Sequence, residues 1–410
     1  MTRTRNREQN NENTQKRARA VSHGHEARPR GRTRRREVQP EVRLVASVDY
    51  VVLFIVSVLV LIGVVMVFSA SHLTAAVRHG SAYHFLQRNL IFAALGFFAM
   101  LFLANFNYEL IRPLSTLFYA ACIVLLILVI FIGSDAGGAT RWINLFGFQF
   151  QPSELARAGV IFIMAYLIEK YPKLPRTFLG LVFLGAFVAL VAILIALPGG
   201  MTVAIITSTI GLGMIAVASP FFWWLALVGG IGAAGVGGFL WWSFTTGADF
   251  RGSRIGAWLD PFSDPLGFGF QPINALYAIA GGEWFGLGVG NSNQVTFIPE
   301  AQNDIIFAII VEELGFIGAA LILILFALFI WRGIIISMRA PDTFSAMVAL
   351  GIVFAIAIPT IINIGVVTNT IPNTGVNLPF ISYGGTSLLV SMAMVGVLLN
   401  ISRYSVQRKQ

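Results

Sequence analysis

The segment RIGAWLDPFSDPLGFGFQP, residues 254–272, places ionisable side chains in a strongly apolar chain. Arg254 begins the segment, and Asp260 and Asp264 each precede a proline. A carboxylate can take the proton from an attacking hydroxyl group, and an arginine can stabilise the negative charge that develops on a leaving group. An aspartate before proline also commonly closes an Asx-turn, so the segment permits a catalytic role and a purely structural one.

Three more carboxylates, Glu283, Glu300 and Asp304, follow along the same part of the chain. They belong to a polar stretch of about sixty residues, near 244–303, and loops of that length are uncommon in compact proteins unless they carry a function. We therefore predict a functional site on this stretch.

Glu312 and Glu313 lie in the next apolar run, eight and nine residues after Asp304. A helix that begins at Asp304 would carry them roughly 12–14 Å into a hydrocarbon core of about 30 Å. Carboxylates at that depth are paired or functional and face the interior of a helix bundle. If the pairing is structural, Arg157 is the expected partner.

The segment QPSELAR, residues 151–157, is typical of a helix start, with Pro152 and Ser153 at the N-terminus and Glu154 in the first turn. Capping accounts for Pro152 to Glu154 but not for Arg157, one turn deeper. The glycines of PFISYGGTS, residues 379–387, fit either helix packing or a flexible entry to the last span.

Composition indicates which elements must position these residues. The chain of 410 residues is 56% hydrophobic and 11% charged, with a mean hydropathy of +0.77, so lipid is the expected solvent. Runs long enough to cross about 30 Å as helices lie near 50–69, 88–105, 113–133, 154–169, 178–197, 201–218, 221–243, 304–331, 343–366 and 386–402. We predict an all-α polytopic membrane protein with about ten transmembrane helices in residues 44–410 and a large outer loop between spans seven and eight.

The net charge of +9 is concentrated in residues 1–43, which hold thirteen Arg and Lys against five Glu. This part lacks apolar periodicity, so we predict a disordered basic tail that sets topology and contacts membrane lipids rather than nucleic acid. The single cysteine, Cys122, can form no internal disulfide, and the spacing of the histidines predicts no metal site.

Positive charge also predicts the orientation of the spans. With the tail in the cytoplasm, alternate loops place Arg112, the segment EKYPKLPR at 169–176 and Arg332 on the same side. Both termini are then cytoplasmic. The longer and more polar loops fall outside, which is where we expect the chemistry.

Six segments together resemble the SEDS family of bacterial cell-envelope proteins, which includes FtsW, RodA and SpoVE. They are VMVFSAS, RWINLFGFQFQPSELAR, RIGAWLDPFSDPLGFGFQ, GEWFGLGVGNSNQ, FIPEAQNDIIFAIIVEELGFIGA and LPFISYGGTSLL. The resemblance runs from about Asp49 to Arg403. The segment GEWFGLGVGNS is more similar to the FtsW and SpoVE branch than to RodA.

The resemblance implies ten spans and a peptidoglycan glycosyltransferase of the bacterial cytoplasmic membrane that polymerises lipid II on its outer face, inverting the anomeric centre. It implies Asp264 as the catalytic carboxylate. Substrate contacts, including those to the undecaprenyl pyrophosphate leaving group, are expected from Arg254, Arg141, Arg157, Glu154, Gln271, Glu300 and Asp304. The expected partners are a class B penicillin-binding protein and other membrane proteins of division or elongation. The residues define no cofactor, and the expected reaction is compatible with a divalent cation, Mg²⁺ or Mn²⁺, at the leaving pyrophosphate.

The chain departs from the family pattern at several positions. The sixth span begins with PGGMT, residues 198–202, where the family often has an aspartate, and QNDI at 302–305 replaces His-Thr-Asp-Phe. Arg157 and Pro359 replace a common lysine and a common glutamine. Two rival hypotheses stay open at this point: a transporter that flips lipid II, for which Glu312 and Glu313 would mark the path, and a non-catalytic scaffold for the penicillin-binding protein.

Overall fold

The structure, a computed structural model, describes residues 48–106, 110–136, 139–145, 148–220, 230 and 250–404. The predicted disordered tail at 1–43 and, apart from residue 230, the seventh predicted span at 221–243 lie outside these ranges, so both stay predictions. Each of the other nine predicted spans coincides with a helix.

The α-helices of the described part of the chain differ in length and in role. They are α1 Tyr50–His79, α2 His84–Asn105, α3 Ile111–Ile132, α4 Pro152–Lys170, α5 Phe178–Ala196, α6 Met201–Ala218, α7 Phe250–Leu259, α8 Phe270–Gly281, α9 Ile306–Met338, α10 Thr343–Val367 and α11 Gly385–Arg403. Eight of them, all except α4, α7 and α8, are long and apolar enough to cross a membrane by length and composition. The predicted polytopic helical membrane fold is thereby confirmed.

Helix α4 corresponds to the fourth predicted span, but its charged side chains separate it from the eight apolar helices. Glu154, Arg157, Glu169 and Lys170 all lie on its 19 residues. Most of α4 is nevertheless buried, and it packs against α3, α6 and α10. Because protein rather than lipid surrounds this helix, its charges can be paired inside the bundle.

Ion pairs hold one end of the bundle together. Asp49, which caps α1, accepts a hydrogen bond of 2.6 Å from Arg332 at the end of α9. Arg112 of α3 contacts both Glu169 of α4, at 3.1 Å, and Asp342 before α10, at 2.9 Å. All five residues belong to helix ends that the charge pattern assigns to the cytoplasmic side.

Helix α9 is interrupted at Gly315, whose φ of 69° and ψ of −176° are not helical. The loop after α8 enters this break, where the N–H groups of Leu287 and Gly288 donate to the carbonyl oxygens of Glu312 and Glu313, each at 2.9 Å. A Cβ at Gly315 would overlap the backbone of that loop, so only glycine permits the approach. The prediction of one uninterrupted helix from Asp304 was therefore wrong.

Residues 134–150 add a small antiparallel sheet to the helical fold. Its strands are β1 Ser134–Ala136, β2 Ala139–Leu145 and β3 Phe148–Phe150, hydrogen-bonded in that order. The sheet links α3 to α4, and β2 carries Arg141. The sequence predicted only a loop here, because strands of three to seven residues give a weak alternation signal beside long apolar runs.

The outer segment near 244–303 is more regular than its sequence suggested. Helix α7 contains Arg254 and ends at Leu259, where the following Asp260–Pro261 pair opposes further helix. A 3₁₀ turn, Pro261–Ser263, leads toward α8, and a second turn, Gln294–Thr296, follows it. The view of Arg254 as part of an irregular loop was thus wrong, since it lies on a helix.

Candidate active site

A cavity of about 660 Å³ is enclosed by helix ends and loops on the side that the charge pattern assigns to the outside. Its charged lining consists of Arg78, Arg88, Arg141, Arg157, Arg254, Glu154, Glu300 and Asp304. Five arginines face three carboxylates, so the cavity favours an anionic ligand. All seven residues that the sequence analysis expected to contact substrate line this cavity. Six of them are charged, and the seventh is Gln271 of α8.

Glu154 and Arg157 form a buried ion pair at the start of α4. The guanidinium donates to Glu154 Oε1 at 2.7 Å, and each side chain is only 7% exposed. Ser387 of α11 approaches the other carboxylate oxygen at 3.5 Å. Within the described residues, Arg157 Nε is buried without a hydrogen-bond partner. Arg157 therefore has one hydrogen-bond donor that no described residue satisfies.

Arg141 reaches the cavity from strand β2 of the small sheet. Its Nε is also buried and has no hydrogen-bond partner in the part of the chain that the structure describes. Burial lowers the pKa of the Arg141 guanidinium from its ordinary value. A buried cation with an unsatisfied donor is costly unless a ligand completes it, which favours a role in anion binding.

Asp304 and Arg254 interact electrostatically at the cavity wall. Burial raises the pKa of the Asp304 carboxyl above its ordinary value of 3.8, while its own backbone hydrogen bond and Arg254 oppose the rise. Burial also lowers the pKa of Arg254, an effect that Asp304 opposes. Asn363 of α10 donates to the carbonyl oxygen of Asp304 at 2.7 Å and so fixes this short segment.

Glu300 lies in the same short segment and has a backbone conformation that few residues other than glycine adopt. Its φ of 50° lies in the left-handed region, and its carboxylate accepts a hydrogen bond of 2.8 Å from Asn303. Backbone strain of this kind costs about 1–3 kcal/mol and clusters at functional sites. The strained backbone at Glu300 therefore supports residues 300–304 as part of the site.

Arg78 and Arg88 line the cavity but were missed by the sequence prediction. Arg78 lies in the last turn of α1 and Arg88 in the first turn of α2, on either side of a short hairpin. Both fall on the side assigned to the outside, where arginine is disfavoured by the topology rule. That exception was the signal that could have identified them.

Asp264 does not line the large cavity. It is exposed, and its carboxylate caps the following turn by accepting from the N–H groups of Gly267, at 3.1 Å, and Phe268, at 2.9 Å. The structural role that the sequence left open is therefore present. Gly267 and Phe268 in turn line a second cavity of about 220 Å³, which shares Arg254 and Gln271 with the larger one.

Glu312 and Glu313 lie far along the bundle from the ion pair of Asp49 and Arg332. Glu313 lies 19 residues before Arg332 in α9, and its partner Ser69 lies 20 residues after Asp49 in α1. Since Asp49 and Arg332 pair with each other, the two glutamates lie toward the opposite end of the bundle. Their depth in a membrane stays a prediction.

The predicted ion pair between these glutamates and Arg157 was wrong, since Arg157 pairs with Glu154. Glu312 instead accepts hydrogen bonds from the Ser292 hydroxyl and from the N–H of Asn293, the latter at 2.9 Å. Its carboxylate therefore anchors the loop that fills the break in α9.

Metal ligands are sparse in this region. No group of three or more His, Cys, Asp or Glu side chains that could hold a metal ion occurs in the described ranges. Glu300, Asp304 and the unpartnered Oδ1 of Asn303 supply oxygens at the cavity wall, whereas Mg²⁺ takes about six oxygen ligands, several of them waters. A role for Mg²⁺ or Mn²⁺ stays a prediction, and the mechanism below uses only residues of the chain.

The sequence matches the family model described as cell cycle protein, FtsW/RodA/SpoVE, over residues 49–407. It is 42% identical over 366 residues to stage V sporulation protein E of Bacillus subtilis (strain 168), which covers 88% of this chain and 98% of that protein. It is 36% identical over 368 residues to the probable peptidoglycan glycosyltransferase FtsW of Geobacter sp. (strain M18), with 88% and 98% covered.

The fold is similar to that of two solved structures. A chain of a peptidoglycan synthase complex superposes with a TM-score of 0.72 at 24% identity, covering 87% of this chain and 98% of that chain. The rod shape determining protein RodA of Thermus thermophilus gives a TM-score of 0.65 at 23% identity, covering 88% and 98%. With the match over residues 49–407, these similarities show that the chain belongs to the FtsW/RodA/SpoVE family.

Proposed function

We propose that this chain is a peptidoglycan glycosyltransferase that polymerises lipid II on the outer face of the bacterial cytoplasmic membrane. The observation that carries the proposal is the cavity in which five arginines face three carboxylates, in a member of a family whose relatives include probable peptidoglycan glycosyltransferases. A pyrophosphate-linked sugar is anionic and polar, as such a lining requires.

The proposed reaction joins the 4-hydroxyl oxygen of the incoming sugar to the anomeric carbon of the growing strand. The bond from that carbon to the undecaprenyl pyrophosphate breaks, and its electron pair leaves with the pyrophosphate. Attack from the opposite side inverts the anomeric centre. Arg254, Arg141 and Arg157 are proposed to stabilise the charge that develops on the leaving group.

Asp264 is proposed as the base that takes the proton of the attacking hydroxyl. Its two hydrogen bonds are compatible with that role, because a carboxylate offers about four lone-pair sites and the turn occupies two of them. The turn also fixes the direction of the carboxylate beside the smaller cavity, where Gly267 and Phe268 form part of the lining.

The decisive experiment supplies labelled lipid II to the purified complex of this chain with its class B penicillin-binding protein. We expect long glycan strands from the wild-type complex and none from a complex that carries Asp264→Asn. Absence of polymer from the wild-type complex, under conditions in which a known polymerase is active, would contradict the proposed function.

A scaffold is the second candidate function, and one observation favours it: the Asp264 carboxylate already has a structural role in its turn. Absence of polymer from the wild-type complex would support this candidate, whereas wild-type polymerisation by the Asp264→Asn complex would remove only Asp264 from catalysis. The transport hypothesis has less support, since the carboxylates of Glu312 and Glu313 already accept hydrogen bonds from Ser292 and Ser69.

The proposed setting is the bacterial cytoplasmic membrane, with both termini in the cytoplasm and a class B penicillin-binding protein as partner. The basic inner loops and the similarity to a chain of a peptidoglycan synthase complex support these assignments. Undecaprenyl pyrophosphate is the proposed product, and other division or elongation membrane proteins are further proposed partners.

A further inference from the structure

The smaller cavity, of about 220 Å³, lies between α7, α8 and the segment that follows α10. It is far larger than the ~10–15 Å³ that a single water requires. Aromatic side chains of Trp258, Phe268 and Phe270 form part of its lining, and amides of Gln271 and Asn373 form another part. The lining of this cavity therefore offers both an apolar, aromatic surface and hydrogen-bonding groups.

Hydrogen bonds between the three elements hold this lining in place. Trp258 Nε1 donates to the carbonyl oxygen of Asn369 at 3.1 Å, and the Asn369 amide donates back to the Trp258 carbonyl at 3.3 Å. The Asn373 amide donates to Gln271 Oε1 at 2.8 Å. Groups fixed in this way can bind a ligand without first being ordered, which lowers the entropic cost of binding.

The chemistry of the lining distinguishes among ligand classes. A phosphate would call for several cations, whereas Arg254 alone supplies a charge in the described lining. An acyl chain would make no use of the polar groups of Arg254, Gln271 and Asn373 that line the cavity. A sugar ring matches both parts, because its C–H face packs on aromatic rings while its hydroxyl and N-acetyl groups bond to amides.

We propose that the smaller cavity binds the N-acetylhexosamine ring of the incoming lipid-linked acceptor. This inference rests on the proposed function. Because the cavity shares Arg254, Gln271 and Pro299 with the large one, a single ligand can place its pyrophosphate among the arginines and its sugar here. Gly267 and Phe268 line the cavity and hold the Asp264 carboxylate, so the acceptor hydroxyl meets the proposed base at the rim.

The test compares two probes, lipid II and undecaprenyl pyrophosphate, which share the lipid and the pyrophosphate and differ in the sugar. Dissociation constants are measured for the purified complex in nanodiscs. We expect Trp258→Ala to weaken lipid II binding about tenfold, equivalent to about 1.4 kcal/mol, and to leave undecaprenyl pyrophosphate binding unchanged. Trp258→Phe keeps an aromatic face and should lose less, whereas Arg141→Gln should weaken both probes.

Trp331→Ala is the matched control, because this tryptophan is 59% exposed on α9 near the opposite end of the bundle. It should bind both probes as the wild type does. Equal loss of both probes in Trp258→Ala, or unchanged lipid II binding in that variant, would overturn the sugar site even if the wild type polymerises lipid II. A wild-type complex that binds lipid II no better than undecaprenyl pyrophosphate would overturn it as well. Failure of the proposed function is detected separately, as absence of wild-type polymerisation.

Discussion

Ser69 of α1 donates a buried hydrogen bond of 2.6 Å to the carboxylate of Glu313 in α9, although 244 residues separate them in sequence. The Ser69 hydroxyl oxygen also accepts a hydrogen bond of 3.0 Å from the N–H of Gly290. One side chain thus connects the first span, the interrupted helix and the loop that fills its break. Glu313 is only 1% exposed, so the energy of its carboxylate depends on these few donors.

We predict that Ser69→Ala destabilises the protein by about 1–3 kcal/mol, because it leaves a buried acceptor unsatisfied. Thermal unfolding in detergent, followed by the loss of monodisperse protein, measures the effect. Ser71→Ala is the control, since Ser71 is equally buried on α1 but bonds only to the carbonyl of Val67 within its own helix. Equal stability of the two variants would contradict a special role for the Ser69–Glu313 contact.

A second prediction separates two aspartates in neighbouring turns. Asp260 and Asp264 each accept backbone N–H groups, and both are exposed. Asp264→Asn should abolish polymerisation of lipid II without loss of expression or partner binding, because an amide cannot take the acceptor proton. Asp260→Asn, which removes a neighbouring exposed carboxylate that accepts the N–H of Phe262, should keep most of the activity. If both variants lose activity to the same extent, the turn rather than the base accounts for the effect.

The helical fold was largely predictable from the sequence, because about twenty apolar residues in a row have few alternatives to a membrane-spanning helix. The cavity lining was predictable in part. Arg141, Arg157 and Arg254 stand out as cations on the outer side of an apolar chain, and Arg78 and Arg88 carry the same signal, but only the packing of the bundle shows that all five line one cavity.

Long-range contacts were not predictable from local patterns. The break at Gly315 depends on a loop 25 to 30 residues earlier in the chain, and an isolated glycine in an apolar run is compatible with an unbroken helix. The partner of Arg157 was misjudged for a related reason, since depth alone cannot choose between Glu154, three residues away, and glutamates on another helix.

A third prediction concerns pH. Burial raises the pKa of Asp304, so the folded protein holds this proton more tightly than the unfolded chain does. The stabilising contribution is therefore full at pH values below the ordinary pKa of 3.8 and is lost as the pH rises toward the raised value.

Asp304→Asn should accordingly be more stable than the wild type at neutral pH, and the difference should shrink as the pH falls toward 4. Unfolding temperatures across this range, with Asp260→Asn as an exposed control, provide the measurement. A stability difference that does not change with pH would contradict the assignment to Asp304.

The last prediction tests the buried pair of Glu154 and Arg157. Removing one member leaves the other charge uncompensated, so Glu154→Gln or Arg157→Gln alone should cost about 3–5 kcal/mol. The double variant should recover part of that loss, because residues in direct contact do not act additively.

Glu312→Gln combined with Arg157→Gln is the matched control, and its effects should be additive because Glu312 bonds to Ser292 and Asn293 instead. Unfolding free energies of the single and double variants decide the matter: coupling between Arg157 and Glu312, or its absence between Arg157 and Glu154, would show that the pairing in the membrane differs from the one described.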